Sequence, residues 1–175
     1  MKSVVINGQE RSKIGKEAAK SYRKEGLVPC VLYSKEENIQ FNATNADLKS
    51  LIYNPDFKYA DIVLGGKTHR CILKEIQWHP VTDAVVHIDF LKLVPGTSIK
   101  VELPLRLKGA AAGVKSGGKM VQRMRMIKIK TVPEHLVSEL FVDITTLDLG
   151  QTMRIRDISP EKGIEIITPA ATPIV

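Results

Sequence analysis

Eight of the nine aromatic residues in this chain (Tyr22, Tyr33, Phe41, Tyr53, Phe57, Tyr59, Trp78 and Phe90) precede residue 94, and only Phe141 follows. That shift in composition coincides with Leu93-Val94-Pro95-Gly96-Thr97-Ser98, a segment carrying the punctuation of a linker or turn. A single core of uniform make-up is hard to reconcile with it. The pattern predicts two domains, 1–94 and 95–175, and no internal repeat of fixed period joins them. A chain of 175 residues with 43% hydrophobic content can bury a core in one domain or in two small ones.

Within both halves the apolar residues favour strands. In the first, Gly15 to Glu25 predicts a short helix with Ala18, Ala19 and Tyr22 on one side and lysines and arginines at helical spacing on another. Gly26 ends it, and Leu27 to Tyr33 follows as a strand entered through Pro29. Asn38 to Asn42 is a second strand. Asn45 is placed to cap a helix carrying Leu48, Leu51 and Ile52. Asp61–Leu64 and His69–Gln77 form a hairpin across Gly65-Gly66, and Val85 to Leu93 is the most regular strand.

In the second half, Val101, Leu103, Leu105 and Leu107 alternate, with Pro104 suggesting an edge strand. Gly109 to Gly118 is a small-residue loop. Met120 to Lys130 alternates with a change of parity between Met126 and Ile127 that suggests a bulge. Leu147-Asp148-Leu149-Gly150 is a turn before a strand from Met153 to Ile158. The fold class expected is mostly β with short helices, in two units.

Charge is concentrated. Arg11 to Lys24 holds six basic residues and one acid, Lys100 to Lys130 nine and one, while residues 131–175 hold three basic and seven acidic. Two basic stretches on a chain of net charge +7 point to a polyanion met by limited surfaces. The longest uncharged stretch, Ile166 to Val175, is ten residues, too short to span a membrane. Val4-Val5-Ile6 is too short for the apolar region of a signal peptide. Cys30 and Cys71 lie far apart and are expected to be reduced core residues of a soluble, cytosolic protein.

Gly113-Val114-Lys115-Ser116-Gly117-Gly118-Lys119 matches the start of a phosphate-binding loop, but Met120 stands where a hydroxyl should hold magnesium. No buried strand precedes it and no helix pattern follows, so a flexible glycine loop with two lysines is expected instead. His69, His79, His87 and His135 show no metal spacing with the cysteines, and neither a metal nor a cofactor is expected. His87 and Asp89 point to one face of a strand, as do Gln77 and His79 on another. A histidine beside a carboxylate can do acid–base work, yet no nucleophile or second base accompanies it, so no catalytic residue is assigned. The plain alternative is the polar face of a half-buried strand. A third reading joins these groups to the basic helix. Lysines and arginines meet phosphates, while Asp89, His87 and Gln77 exchange hydrogen bonds with base edges and 2′-hydroxyls and Tyr33 packs on a sugar or base.

Gly15-Lys16, Arg23 and Gly26-Leu27-Val28-Pro29-Cys30-Val31-Leu32-Tyr33, followed by Glu75-Ile76-Gln77-Trp78-His79-Pro80 and Val86-His87-Ile88-Asp89-Phe90-Leu91, resemble the motifs of the bacterial large-subunit ribosomal protein family numbered twenty-five, which includes the general stress protein Ctc. The glycine loop and Thr146-Leu147-Asp148-Leu149-Gly150 resemble the extra domain of its two-domain members. The resemblance implies a six-stranded β-barrel in residues 1–94 that binds the loop E region of 5S ribosomal RNA, and a smaller β-rich domain in 95–175. The matching RNA-binding positions are Arg11, Lys16, Lys20, Arg23, Tyr33, Gln77, His87 and Asp89. It implies a non-enzyme of the large ribosomal subunit, monomeric when free, with no membrane and no small-molecule substrate among its partners. Lys20-Ser21 stands where many members carry two arginines, Glu17 at a position commonly small, and Ser34 for a glycine. Lysine is a point charge rather than a bidentate fork, so weaker phosphate anchoring is expected. Two alternatives stay open: a stress-induced protein acting off the ribosome through protein contacts, and an RNA-processing enzyme.

Overall fold

The computed structural model describes residues 2–34, 37–160 and 163–175. The chain divides into two compact units, Met1–Val94 and Pro95–Val175.

The first unit is a closed six-stranded barrel. Its elements in chain order are β1 (Ser3–Glu10), α1 (Lys16–Lys24), β2 (Leu27–Tyr33), β3 (Asn38–Thr44), α2 (Asn45–Ile52), β4 (Tyr59–Leu64), β5 (Lys67–Trp78) and β6 (Val85–Lys92). Around the barrel the strands run β1-β3-β2-β6-β5-β4, and β4 returns to β1. The pairs β1·β4 and β2·β6 are parallel and the others antiparallel. Closure leaves no open sheet edge.

The strand pattern accounts for the core. Val28, Cys30 and Leu32 of β2, Phe41 and Ala43 of β3, and Ile88 and Phe90 of β6 point inward at alternate positions and are buried. Phe41 and Phe90 meet inside the barrel with ring centroids 5.9 Å apart and planes tilted by 35°. Helix α2 packs on β1 and β3 and adds Leu48 and Leu51 to the same core. Each such leucine is worth about 1.5–3 kcal/mol when removed from water.

The Gly65-Gly66 hairpin is present, with both glycines at positive φ (53° and 81°), the mirror-image turn that matches strand twist. Two details depart from expectation. The cap of α2 is Thr44, whose hydroxyl accepts the Asp47 N–H at 3.3 Å, with Asn45 already inside the helix. Strand β1, for which the sequence pattern carried no strand signal, completes the barrel.

The second unit is built on a sheet ordered β10-β8-β7-β9: β7 (Ile99–Lys108), α3 (Ala112–Lys115), β8 (Met126–Thr131), β9 (Leu140–Asp143) and β10 (Ile164–Ile166). Its core is aliphatic, with Leu103, Ile127, Ile129 and Ile174 fully buried.

Here three expectations are corrected. Strand β7 is central, not an edge. It pairs with β8 over residues 99–104 and with β9 over 105–108. Backbone N–H groups alternate sides along a strand, and Leu105 donates toward β8, to Arg125 O at 2.8 Å. Pro104, lacking a donor, therefore faces the side where β9 has not yet begun. The strand expected from Met120 starts only at Met126: the ladder to β7 ends with the Leu105 N–H donated to Arg125 O, although β7 itself continues to Lys108. Arg123 and Met124 instead both donate their N–H to Ile174 O. The strand expected over 153–158 is a 3₁₀ turn at Ile155–Asp157, preceded by a single bridge from Arg154 to Pro173. The Asp157 carboxylate accepts the Arg154 N–H at 2.8 Å and stabilises that turn.

Candidate nucleic-acid interface

Strand β6 lies between β2 and β5, and its outward residues are the polar ones. Ile88 and Phe90 are fully buried, whereas His87 and Asp89 between and beside them are half-buried on the outer face. Register then brings neighbours alongside. Gln77 is opposite His87, Glu75 is opposite Asp89, and Val31 is opposite Asp89 on the other side. A bulge at Lys74 makes this possible. The extra residue lets both Leu73 and Ile76 pack on the core, which turns Glu75 and Gln77 outward together.

Nδ1 of His87 lies 2.9 Å from Oδ1 of Asp89. Nδ1 nevertheless makes no hydrogen bond of good geometry among the described residues and is buried. A second such atom is Asn42 Oδ1, on β3 between Gln9 of β1 and Pro29 of β2. Tyr33, on β2, feels the same patch of negative charge. Burial and then Asp89 and Glu75 push its phenol above the ordinary value. Cys30, behind it in the barrel, is pushed up to about 12, first by burial and then by Asp89.

A cationic frame borders these groups. Helix α1 begins after Gly15, at φ 124°, and packs against β2. Arg23 in its last turn donates from Nε to Val86 O at 3.1 Å, one residue from His87. Arg11 donates its backbone N–H to Gln40 O at 3.1 Å, and its guanidinium stands 5.4 Å from the centre of the Tyr22 ring. Gln40 is opposite Val31, and Val31 opposite Asp89, so one row across three strands links Arg11 to the acidic patch. Lys16 and Lys20 are exposed on α1, one helical turn apart.

Of the eight residues expected from the sequence, Gln77, His87 and Asp89 are thus direct neighbours, Tyr33 is within electrostatic reach, Arg23 and Arg11 are tied to the same strands, and Lys16 and Lys20 stand on the helix that packs there. Glu75, opposite Asp89 on β5, stands with them and was not singled out. The bulge that exposes Glu75 leaves only a weak mark in the sequence. Chemically the patch offers carboxylate acceptors, an imidazole and an amide inside a border of cations. Among the described residues no three His, Cys, Asp or Glu side chains gather to hold a metal ion, and no helix is long and apolar enough to cross a membrane.

The glycine loop is not a phosphate cradle. Gly113 is part of α3, a helix of four residues, and donates to Leu147 O at 3.0 Å. A Cβ there would lie 2.8 Å from Leu149 N, so the glycine serves close packing against the turn at 147–150 rather than flexibility.

Comparison with known proteins bears on both units. The Ribosomal L25p family matches residues 6–90, and the family of ribosomal protein TL5, C-terminal domain, matches residues 98–175. The large ribosomal subunit protein bL25 of Phocaeicola vulgatus is 40% identical over 174 residues, covering 95% of this chain and 87% of its own length. That of Azobacteroides pseudotrichonymphae is 39% identical over 160 residues, covering 91% and 85%. The bL25 protein of Amoebophilus asiaticus is 36% identical over 174 residues, covering 99% and 88%.

Proposed function

Since the chain belongs to the ribosomal L25p family, with a second module of the TL5 C-terminal type, we propose that it is a structural, non-catalytic constituent of the large ribosomal subunit whose barrel binds 5S ribosomal RNA at the loop E region. The ribosomal role rests on relatives named as large-subunit proteins over nearly the whole chain. It acts on the cytoplasmic ribosome and is monomeric when free.

The choice of RNA rests on the resemblance of the motifs, and its chemistry on one observation: Gln77, His87 and Asp89 stand side by side on the outer face of the barrel, inside a cationic border. A carboxylate repels phosphate. It is useful at an RNA surface when it accepts hydrogen bonds from base amino or imino groups, and the wide minor groove of an RNA helix admits such a group. Lys16, Lys20 and Arg11 hold phosphates and set position. Asp89, His87 and Gln77 carry discrimination, with Tyr33 packing on a sugar or base. The rigid barrel holds the reading groups in one geometry before RNA arrives, which lowers the cost of ordering them on binding.

A gel-shift titration against 5S ribosomal RNA, with transfer RNA as competitor and at two salt concentrations, tests this. The protein should bind 5S RNA at near-physiological salt in the presence of the competitor. Asp89→Ala should lose the preference for 5S over transfer RNA. Lys20→Ala should weaken both RNAs alike and reduce the slope of log affinity against log salt by about 0.7–0.9. Equal losses for both RNAs in both variants, with unfolding midpoints unchanged, would overturn the division of roles. Binding that vanishes with competitor would reduce the patch to a general polyanion surface and favour the role through protein contacts.

A further inference from the structure

Among the described residues, the second unit carries cations that its acids do not engage. On its sheet, Lys128 pairs with Glu102 at 3.2 Å, Lys130 with Glu165 at 3.0 Å and Arg106 with Glu139 at 3.2 Å. The exposed side chains of Lys115, Lys119, Arg123 and Arg125 have no acidic partner among the described residues. Two of them, Lys119 and Arg123, border a cleft of about 280 Å³.

Between those cations the lining mixes aliphatic side chains with Gln151, Thr152 and backbone polar groups. Val114, Met120, Val121 and Leu149 all contribute to it and remain 46%, 39%, 58% and 57% exposed. A single exposed aliphatic residue is ordinary, but four in one concavity mark a surface that gains by being covered. Its shape is held in advance. Gly113 donates to Leu147 O and Gly118 to Gly113 O, while Arg123 and Met124 are both fastened to Ile174 O. The one acid in the lining, Asp148, is partly engaged, its Oδ1 accepting the Leu149 N–H at 2.7 Å.

An anionic occupant could be RNA or protein, and the lining decides between them. Sequence-tolerant binding of unpaired RNA relies on rings for base stacking, and among the described residues no aromatic side chain lines the cleft. Phosphates would answer the cations and leave the four aliphatic side chains in water. We infer that this cleft docks an extended peptide segment of a partner protein in which carboxylates flank aliphatic side chains. The aliphatic groups cover Val114, Met120, Val121 and Leu149, and the carboxylates meet Lys119 and Arg123, with Lys115 and Arg125 adding to the attraction. This docking does not depend on the barrel binding RNA.

Methyl NMR on the full chain tests it, with a seven-residue peptide alternating glutamate and leucine as probe. The methyl signals of Val114, Met120, Val121 and Leu149 should shift and saturate. The same peptide with lysine for glutamate should bind at least about tenfold more weakly, as should the double variant Lys119→Glu/Arg123→Glu with the original peptide. Val121→Ser should weaken the peptide while leaving the RNA gel-shift unchanged. Absence of saturable shifts would overturn the inference. So would equal shifts with the lysine peptide, or tighter saturation of the same methyls by a short RNA duplex, which would make the surface a nucleic-acid contact.

Discussion

Gly8 has no side chain because Phe41 occupies the space. A Cβ on this β1 residue would lie 2.7 Å from Phe41 Cδ2 and 2.6 Å from Leu64 Cδ2, and Phe41 is fully buried against Phe90. Gly8→Ala should therefore destabilise the barrel by about 1–3 kcal/mol through overpacking, measured as a lower denaturant midpoint with unchanged slope. A neutral result would mean that Phe41 yields more easily than its packing suggests. The thiols make a second residue-level case. Cys30 and Cys71 are fully buried, donate to Val28 O at 3.4 Å and Ala60 O at 3.1 Å, and are pushed up to about 12, chiefly by burial. At pH 8 both are neutral thiols in the fold, so iodoacetamide should label them only as fast as the barrel opens, and readily in denaturant. Fast labelling of native protein would contradict that. Their core position was legible in the sequence, as were His87 and Asp89 from strand alternation. The role of Gly113 was not, because a glycine used for close packing and one used to cradle a phosphate look alike in one dimension.

At the scale of elements, legibility followed locality. Strands β2, β3 and β6 and the Gly65-Gly66 hairpin are specified by their own alternation and turn residues, and the structure has them at nearly the expected bounds. Strand β1 is different. Its apolar run, Val4-Val5-Ile6, is followed by Asn7-Gly8, which looks like a turn, and its pairing with β4 joins residues more than fifty positions apart. The same holds for Met120 to Arg125, where alternation is present but no partner strand is. Alternation creates a face; a ladder needs a neighbour. The start of α2 shows how finely a local signal can mislead, since Thr44 and Asn45 are both good caps. With the Thr44 hydroxyl accepting the Asp47 N–H, Thr44→Ala should cost about 1 kcal/mol of barrel stability. Asn45→Ala should cost little. A larger loss for Asn45 in thermal or denaturant unfolding would return the cap to it.

At the scale of the whole molecule, the uneven aromatic content has a structural counterpart. The barrel core contains Phe41 and Phe90, whereas the buried residues of the second unit are aliphatic apart from Thr131, and Phe141 is exposed. The barrel is closed on itself and its hydrophobic cluster lies entirely within residues 6–90. A fragment ending at Val94 should therefore unfold in one cooperative transition, because a closed sheet around a complete core is an autonomous unit. All eight candidate RNA-binding residues lie within it, so its affinity for 5S ribosomal RNA at near-physiological salt should stay within about threefold of the full chain, a difference of about 0.7 kcal/mol. Circular dichroism melting and the gel-shift titration together separate the possible failures. A fragment that does not melt cooperatively would show that the barrel draws stability from residues beyond 94. A fragment that melts cooperatively but loses RNA affinity would move part of the RNA contact into the second unit, where Lys115, Lys119, Arg123 and Arg125 are exposed cations without an acidic partner among the described residues.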